Sequence, residues 1–385
     1  MRFSCVILMM SAALWNNTLQ GQTTQEFYEV TQSMPVFYKQ MKKQLTYPLA
    51  WESDSIKDFN RWRLVSKQTL KDCMGLVQPA PKSYDCEVVD MEARKGYEAR
   101  KIMFNVSDWC RIPAYLLVPH GEGPFPAIVM LHDHGAHFTI GKEKLVRPFQ
   151  VSQVIAADAA NWVQRYYDGQ FVGDYFAAHG YVVLVIDALL WGERGRKEGA
   201  DYAVQEALAS NFFQMGSSWG AFIHMDDVRS AEFLASLSFV DSDRIGCLGF
   251  SMGAYRSWML ASLSDVVKAS ASVCWMNTTE YLMTLNNNQT KGGSAYSMLL
   301  PGIRCFMDYP HVASIACPKP SLFFNGTDDK LFPIEGVQNA YRIMRRVWDD
   351  QKASEQLVTR LWKGTHFFSK EMQYETLMFF RQWLK

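Results

Sequence analysis

The stretch Arg244-Ile245-Gly246-Cys247-Leu248-Gly249-Phe250-Ser251-Met252-Gly253-Ala254-Tyr255 leaves the chain few ways to fold. Residues 245–248 are an apolar run of strand length that follows a charged loop, Asp241-Ser242-Asp243. The pattern then turns abruptly on Gly249, Ser251 and Gly253 and continues with helical spacing through residues 255–263. The order is strand, G-x-S-x-G, helix. A serine at the tip of such a turn needs small neighbours, because the flanking elements pass very close together. Its hydroxyl is pushed into the open, and the N–H groups that follow lie at a helix N-terminus, where negative charge is favoured. The motif recurs by chance and equally describes a glycine-rich turn around a buried serine. The rest of the chain decides between the two.

From residue 84 onward, strand and helix patterns alternate. Residues 86–90, 97–106 and 112–118 read as consecutive strands, and 126–131 as a short, fully apolar strand of the kind buried in a parallel sheet. Further strands are expected at 181–186, 267–274, 320–324 and 358–361, with helices at 172–179, 225–238 and 369–384. Residues 200–214 read as an excursion over the sheet and 286–294 as a polar loop. Such alternation implies a mostly parallel sheet with helices on both faces. The segment before it reads as helical. An amphipathic helix is expected over 24–43. A second starts near Ser53, capped by Ser53, Asp54 or Ser55 and burying Ile56, Phe59, Trp62 and Val65, before a linker at 79–81.

The chain has 39 Lys and Arg against 39 Asp and Glu, so electrostatics give no argument for nucleic acid as a partner. Residues 1–21 read as a signal peptide: Arg2 supplies the positive end, 5–15 an apolar segment too short to span a bilayer, and Leu19-Gln20-Gly21 a small-residue cleavage site. The expected organisation is therefore a leader at 1–21, a helical arm at 22–83 and a catalytic domain at 84–385. Cys73, Cys86, Cys110, Cys247, Cys274, Cys305 and Cys317 are scattered without a C-x-x-C pair, which speaks against a disulfide framework and a zinc ribbon.

In a parallel sheet, functional groups gather at the C-terminal ends of strands. Three such ends carry Ser251, Asp329 and His366. A serine hydroxyl is a poor nucleophile unless a base within hydrogen-bond reach takes its proton, and His366 can do so near neutral pH. A carboxylate then holds the imidazole in the right tautomer. Asp328 competes with Asp329 for that place, and Asp329, third after Gly326, is the better match. His132-x-His134-x-x-His137 nearly spells the zinc motif H-x-H-x-D-H, but Ala136 stands where the aspartate ligand belongs. The better reading is an oxyanion loop in which His134, or else Asp133 or Gly135, presents an N–H beside that of Met252. Neither metal nor cofactor is called for.

Residues 126–138 (PAIVMLHDHGAHF), 241–256 (DSDRIGCLGFSMGAYR) and 326–333 (GTDDKLFP) resemble bacterial dienelactone-hydrolase-like and acetyl xylan esterase-like α/β-hydrolases. The resemblance covers about residues 84–385, and the preceding arm is similar to that of the xylan-esterase-like group. It implies an α/β-hydrolase fold in which Ser251 is the nucleophile, Asp329 the acid and His366 the base, in the chain order that such enzymes use. It also implies oxyanion donors in the 132–135 loop and at Met252. Two departures stand out. Gly253 is followed by Ala254 where many relatives have a second glycine, and the nucleophile is serine where dienelactone hydrolases proper use cysteine, which points to ordinary esters.

The expected activity is an exported serine esterase that removes acetyl or similar acyl groups from a polysaccharide or oligosaccharide. Trp191, Glu193, Arg194 and Trp275, on strand-end loops with Asp187, are expected to shape its pockets, although Glu193 and Arg194 equally suit a buried pair bracing a loop. A prolyl-oligopeptidase-like peptidase shares the order of the three residues but carries a propeller, of which no blade repeat is present. A non-catalytic binding protein would be expected to have lost one of the three. The sequon Asn325-Gly326-Thr327, inside the loop that supplies the acid, fits a bacterial periplasm better than a glycosylating pathway.

Overall fold

The computed structural model describes residues 30–384 apart from 32, 33, 54, 286 and 288–292, and only the backbone of 31, 293 and 294. The leader at 1–21 and most of the polar stretch at 286–294 lie outside the described residues. The chain divides into two compact units, Met1–Gln44 and Leu45–Lys385. In the first, β1 (Val30–Thr31) and β2 (Met34–Pro35) form an antiparallel ribbon, followed by the short helix α1 (Tyr38–Lys42). The helix expected over 24–43 is therefore not continuous. Val30 and Thr31 pair with Pro35 and Met34, and a proline inside a helix would lose a hydrogen bond and clash with the preceding turn.

In the second unit, Trp51–Ser53 make one 3-10 turn and α2 (Phe59–Met74) begins later than expected. Ser53 is not its cap, because its hydroxyl donates to the carbonyls of Ala50 and Pro48. Asp58 accepts from the Arg61 N–H in its place. The buried face steps by four, Trp62, Ser66, Leu70 and Met74, and not through Ile56, Phe59 and Val65. Since α2 packs into the main core, the expected division at 83/84 differs from the boundary after Gln44.

The strands β3 (Glu87–Arg94), β4 (Tyr97–Ser107), β5 (Cys110–Pro119), β6 (Phe125–Leu131), β7 (Val182–Ile186), β8 (Val240–Phe250), β9 (Ala269–Val273), β10 (Ser321–Gly326) and β11 (Leu357–Trp362) form one sheet. Their order is β11-β10-β9-β8-β6-β7-β5-β4-β3. The run from β7 through β11 is parallel, and β3, β4 and β5 extend it antiparallel. Strand side chains alternate between faces, and both faces are apolar. Ala127, Val129 and Leu131 of β6 join one core, while Ile128 and Met130 join the other.

Helices cover both sides. The first core takes α2, then α6 (Trp219–Ala235), α7 (Met252–Leu263) and α11 (Ile334–Asp350). The second takes α3 (Gln153–Tyr166), α4 (Val172–Ala177) and α12 (Lys370–Trp383). The excursion at 200–214 is largely the helix α5 (Tyr202–Gln214), and shorter helices α8 (Thr279–Leu282), α9 (Gly293–Tyr296) and α10 (Tyr309–Ser314) fill the connections.

β8 ends at Phe250 and α7 starts at Met252, so Ser251 alone makes the turn, with φ 57° and ψ −123°. The glycines around it are required by contact. A Cβ on Gly249 would lie 2.0 Å from the Gly253 carbonyl oxygen, and one on Gly253 1.9 Å from that of Leu131 at the end of β6. Gly253→Ala should therefore cost about 3 kcal/mol, read as a fall in the urea midpoint; an unchanged midpoint would contradict this packing.

His224, on α6, is buried beside the Tyr255 ring with neither ring nitrogen hydrogen-bonded among the described residues. Burial, and secondarily Arg256, lowers its pKa from 6.5 to about 3. Between those values the unfolded chain binds a proton that the folded chain refuses, so stability falls as pH drops below 6.5, by about 1.4 kcal/mol per pH unit. His224→Leu should flatten the decline in unfolding free energy between about pH 6 and pH 4 by that amount. An identical slope in both proteins would rule this out.

Candidate active site

Ser251, Asp329 and His366 come together at the C-terminal ends of β8, β10 and β11. The register of β10 on β11 pairs Gly326 with Trp362, which brings the loops carrying Asp329 and His366 off the same edge. His366 Nε2 lies 2.8 Å from Ser251 Oγ, and His366 Nδ1 lies 2.7 Å from Asp329 Oδ2. A carboxylate only accepts, so Nδ1 carries the proton and Nε2 is left to accept from the serine hydroxyl. Asp329 is buried and its other oxygen accepts the Leu331 N–H at 2.9 Å, which fixes the carboxylate plane. Asp328 is exposed and its side chain takes no part in this chain of hydrogen bonds. The His366 side chain keeps 17% of its surface accessible, enough for a ligand to reach it.

The loop after β6 runs beside the serine. His134 and Met252 both line the pocket that opens over Ser251, and neither backbone N–H donates to an acceptor among the described residues. The three histidines do not converge on one point. His132 Nε2 accepts the Ala188 N–H at 2.9 Å, so its Nδ1 donates to the Asp133 carbonyl. His134 Nδ1 accepts the Ala136 N–H, so its Nε2 donates to Gln205 at 2.9 Å. His137 faces Asp158 and stacks on Trp162. Burial holds His132 and His134 neutral, the latter with its pKa lowered to about 4. Among the described residues, the grouping of possible metal-ligating atoms is Cys274, Asp329 and His366, two of which are already engaged with each other.

The pocket has a volume of about 350 Å³. Its walls are mostly aromatic or apolar: Trp162 and Tyr166 from α3, Tyr202 at the start of α5, Phe250, Trp275 and Phe332. Of the residues expected to shape it, Trp275 does. Trp162, Tyr166, Tyr202 and Phe332 were not anticipated. A signal for α3 exists in Ser152, whose side chain caps the helix, followed by Ile155, Ala159, Trp162 and Val163 at helical spacing.

Trp191, Glu193 and Arg194 lie elsewhere. Trp191 is fully buried, stacks on Trp219 and donates from Nε1 to the His134 carbonyl at 3.2 Å, so it supports the loop from behind. Glu193 pairs with Lys101 at 2.6 Å and Lys142 at 2.7 Å, and Arg194 pairs with Asp226 at 2.8 Å. The loop is braced by buried charges, but not by a Glu193–Arg194 pair. Lys142, with no exposed surface, also meets Glu143 at 2.7 Å and Asp187 at 2.8 Å. Burial would depress its pKa, and the surrounding Asp187, Glu143 and Glu193 instead push it well up. On the other flank, Arg256 of α7 pairs with both oxygens of Asp227 at 2.7 and 3.0 Å.

The family model described as "Abhydrolase family" matches residues 24–356. The Bacillus subtilis (strain 168) protein named "Putative hydrolase YtaP" is 27% identical over 308 residues, covering 80% of this chain and 95% of its own. A Bacteroides fragilis NCTC 9343 structure described as "a putative acetyl xylan esterase" superposes with a TM-score of 0.67 at 18% identity, over 86% of this chain and 83% of that one. A glucuronoyl esterase from Solibacter usitatus superposes with a TM-score of 0.57 at 13% identity, over 94% and 97%. These two likenesses show the fold, the α/β-hydrolase fold with its mostly parallel sheet. With the family model matched across most of its length, the chain belongs to the Abhydrolase family.

Proposed function

We propose that this protein is an exported serine hydrolase of carboxylic esters, acting on an acylated polysaccharide or oligosaccharide. The observation that carries the reading is the chain Ser251 Oγ, His366, Asp329, with links of 2.8 and 2.7 Å, beginning at a serine held in a left-handed turn. Ser251 Oγ attacks the ester carbonyl while His366 Nε2 takes its proton, and Asp329 steadies the imidazolium through Nδ1. The tetrahedral oxyanion accepts from the N–H groups of Met252 and of the 133–135 loop, His134 foremost. On collapse, the C–O bond breaks and His366 returns the proton to the leaving alcohol. A water, activated by the same imidazole, then hydrolyses the acyl-serine.

Several features favour a small acyl group on a sugar. The pocket of about 350 Å³ is walled by Trp162, Tyr166, Tyr202 and Trp275, and such faces suit the apolar side of a pyranose ring. Relatives in fold include one described as "a putative acetyl xylan esterase" and another as a glucuronoyl esterase. Export rests on the leader-like 1–21, and no described helix is long and apolar enough to cross a membrane. Asn325 of the sequon is buried in β10 and accepts from the Tyr341 hydroxyl at 2.9 Å, a poor site for a glycan and in keeping with a bacterial periplasm.

Acetate release from acetylated xylan and from p-nitrophenyl acetate tests the reading. Ser251→Ala and Asp329→Asn should each lower kcat by about 10³-fold or more. Asp328→Asn should stay within about threefold of the wild type, and EDTA should have no effect. Hydrolysis that survives Ser251→Ala would overturn the nucleophile assignment. Activity on p-nitrophenyl acetate alone would remove the carbohydrate.

A further inference from the structure

Lys144 has no exposed surface and makes unusual use of its charge. Its Nζ donates to the carbonyl oxygens of Asp133 and His134, 3.0 Å from each. Asp133 Oδ1 is the nearest carboxylate oxygen, at 3.5 Å, and the Trp162 ring centre lies 4.7 Å away. The Asp133 carboxylate has other partners, accepting from Trp162 Nε1 at 3.1 Å and the Tyr167 hydroxyl at 2.7 Å.

In a planar trans peptide the C=O and the N–H point in opposite directions. Holding the oxygen of Asp133 therefore turns the His134 N–H away from Lys144, and holding the oxygen of His134 does the same for the Gly135 N–H. Neither N–H donates to an acceptor among the described residues, and residues 133–136 line the pocket beside Ser251. A cation on the carbonyl oxygen also polarises the amide and strengthens its N–H as a donor.

We propose that Lys144 is the positioning residue of the oxyanion hole: its buried ammonium clamps two consecutive peptide units so that their N–H groups face the charge that develops on the substrate. The proposal rests on the reading of Ser251 as nucleophile. It also explains why a charge is kept where burial disfavours it. Burial pushes the Lys144 ammonium below its ordinary pKa, with Asp133 opposing.

The test is Lys144→Met in the full chain, with Lys144→Gln as a second variant, each normalised to titrated active sites. The expected result is a fall in kcat on p-nitrophenyl acetate of about 10- to 1000-fold with little change in KM. Binding of phenylboronic acid, which forms an anionic tetrahedral adduct on serine, should weaken by the same factor as kcat/KM, while circular dichroism shows the variants folded at the assay temperature. A kcat per site within about twofold of the wild type would overturn the proposal. So would unchanged boronate binding, or collapse of both variants, which would make Lys144 a prop of the fold alone. Failure of the wild type to hydrolyse the ester through Ser251 would instead defeat the reading beneath it.

Discussion

The structure depends on one crowded crossing. β8 must stop, reverse and become α7 within a single residue, while the end of β6 passes close against the first turn of that helix. Ser251 accepts a left-handed backbone, and Gly249 and Gly253 lack the side chains that would collide with the Gly253 and Leu131 carbonyls. The crossing gives three things at once. The serine hydroxyl projects from the sheet edge, the Met252 N–H is left without an intrahelical partner, and the loop after β6 lies beside both. Strain of this kind persists only where the surroundings hold it, and here they are the apolar β6 and β8, buried on both faces.

Beneath the pocket, buried polar groups replace the apolar packing found elsewhere. Asp187 accepts the Lys142 N–H at 2.7 Å, the Lys142 ammonium at 2.8 Å and the Glu193 N–H at 3.1 Å, joining the loop after β7 to the segment at 141–144. Two residues on, Lys144 reaches the carbonyls of Asp133 and His134, and Trp191 reaches that of His134 from the opposite loop. Arg256 ties α7 to Asp227 of α6. Each ion would be costly to bury alone, and each is paired or hydrogen-bonded. The lysines hold loops and Arg256 holds helix to helix, and loops are where functional groups are most often carried.

The sheet was legible because buried parallel strands are nearly continuous apolar runs, as in 126–131 and 182–186, and because the G-x-S-x-G turn names its own geometry. Asp329 and His366 were singled out by their places at strand ends and by the chain order Ser, Asp, His, and the structure brings the two side chains within 2.7 Å. Other features were hidden for physical reasons. The start of α2 was misplaced because Ser53 spends its hydroxyl on a local turn, and Asp58 is an equally good cap. The aromatic wall was missed because Trp162, Tyr166 and Tyr202 come from helices that cross above the sheet, where only tertiary packing brings them to Ser251. Lys142 and Lys144 were invisible as functional residues, since a lysine pair in sequence reads as solvated surface. Trp191, Glu193 and Arg194 sit on the loop after β7 but do not line the pocket: Trp191 and the Arg194 side chain are buried, and Glu193, partly exposed, pairs with Lys101 and Lys142.

The central claim is that Ser251 forms a covalent acyl intermediate. Rapid-quench mass spectrometry of the wild-type protein mixed with p-nitrophenyl acetate addresses it most directly. The account predicts one acetyl group on the peptide that carries Ser251, appearing within the first turnover and lost as the ester is consumed. Ester hydrolysis in which no acetyl reaches Ser251, or in which it settles on another residue, would contradict it.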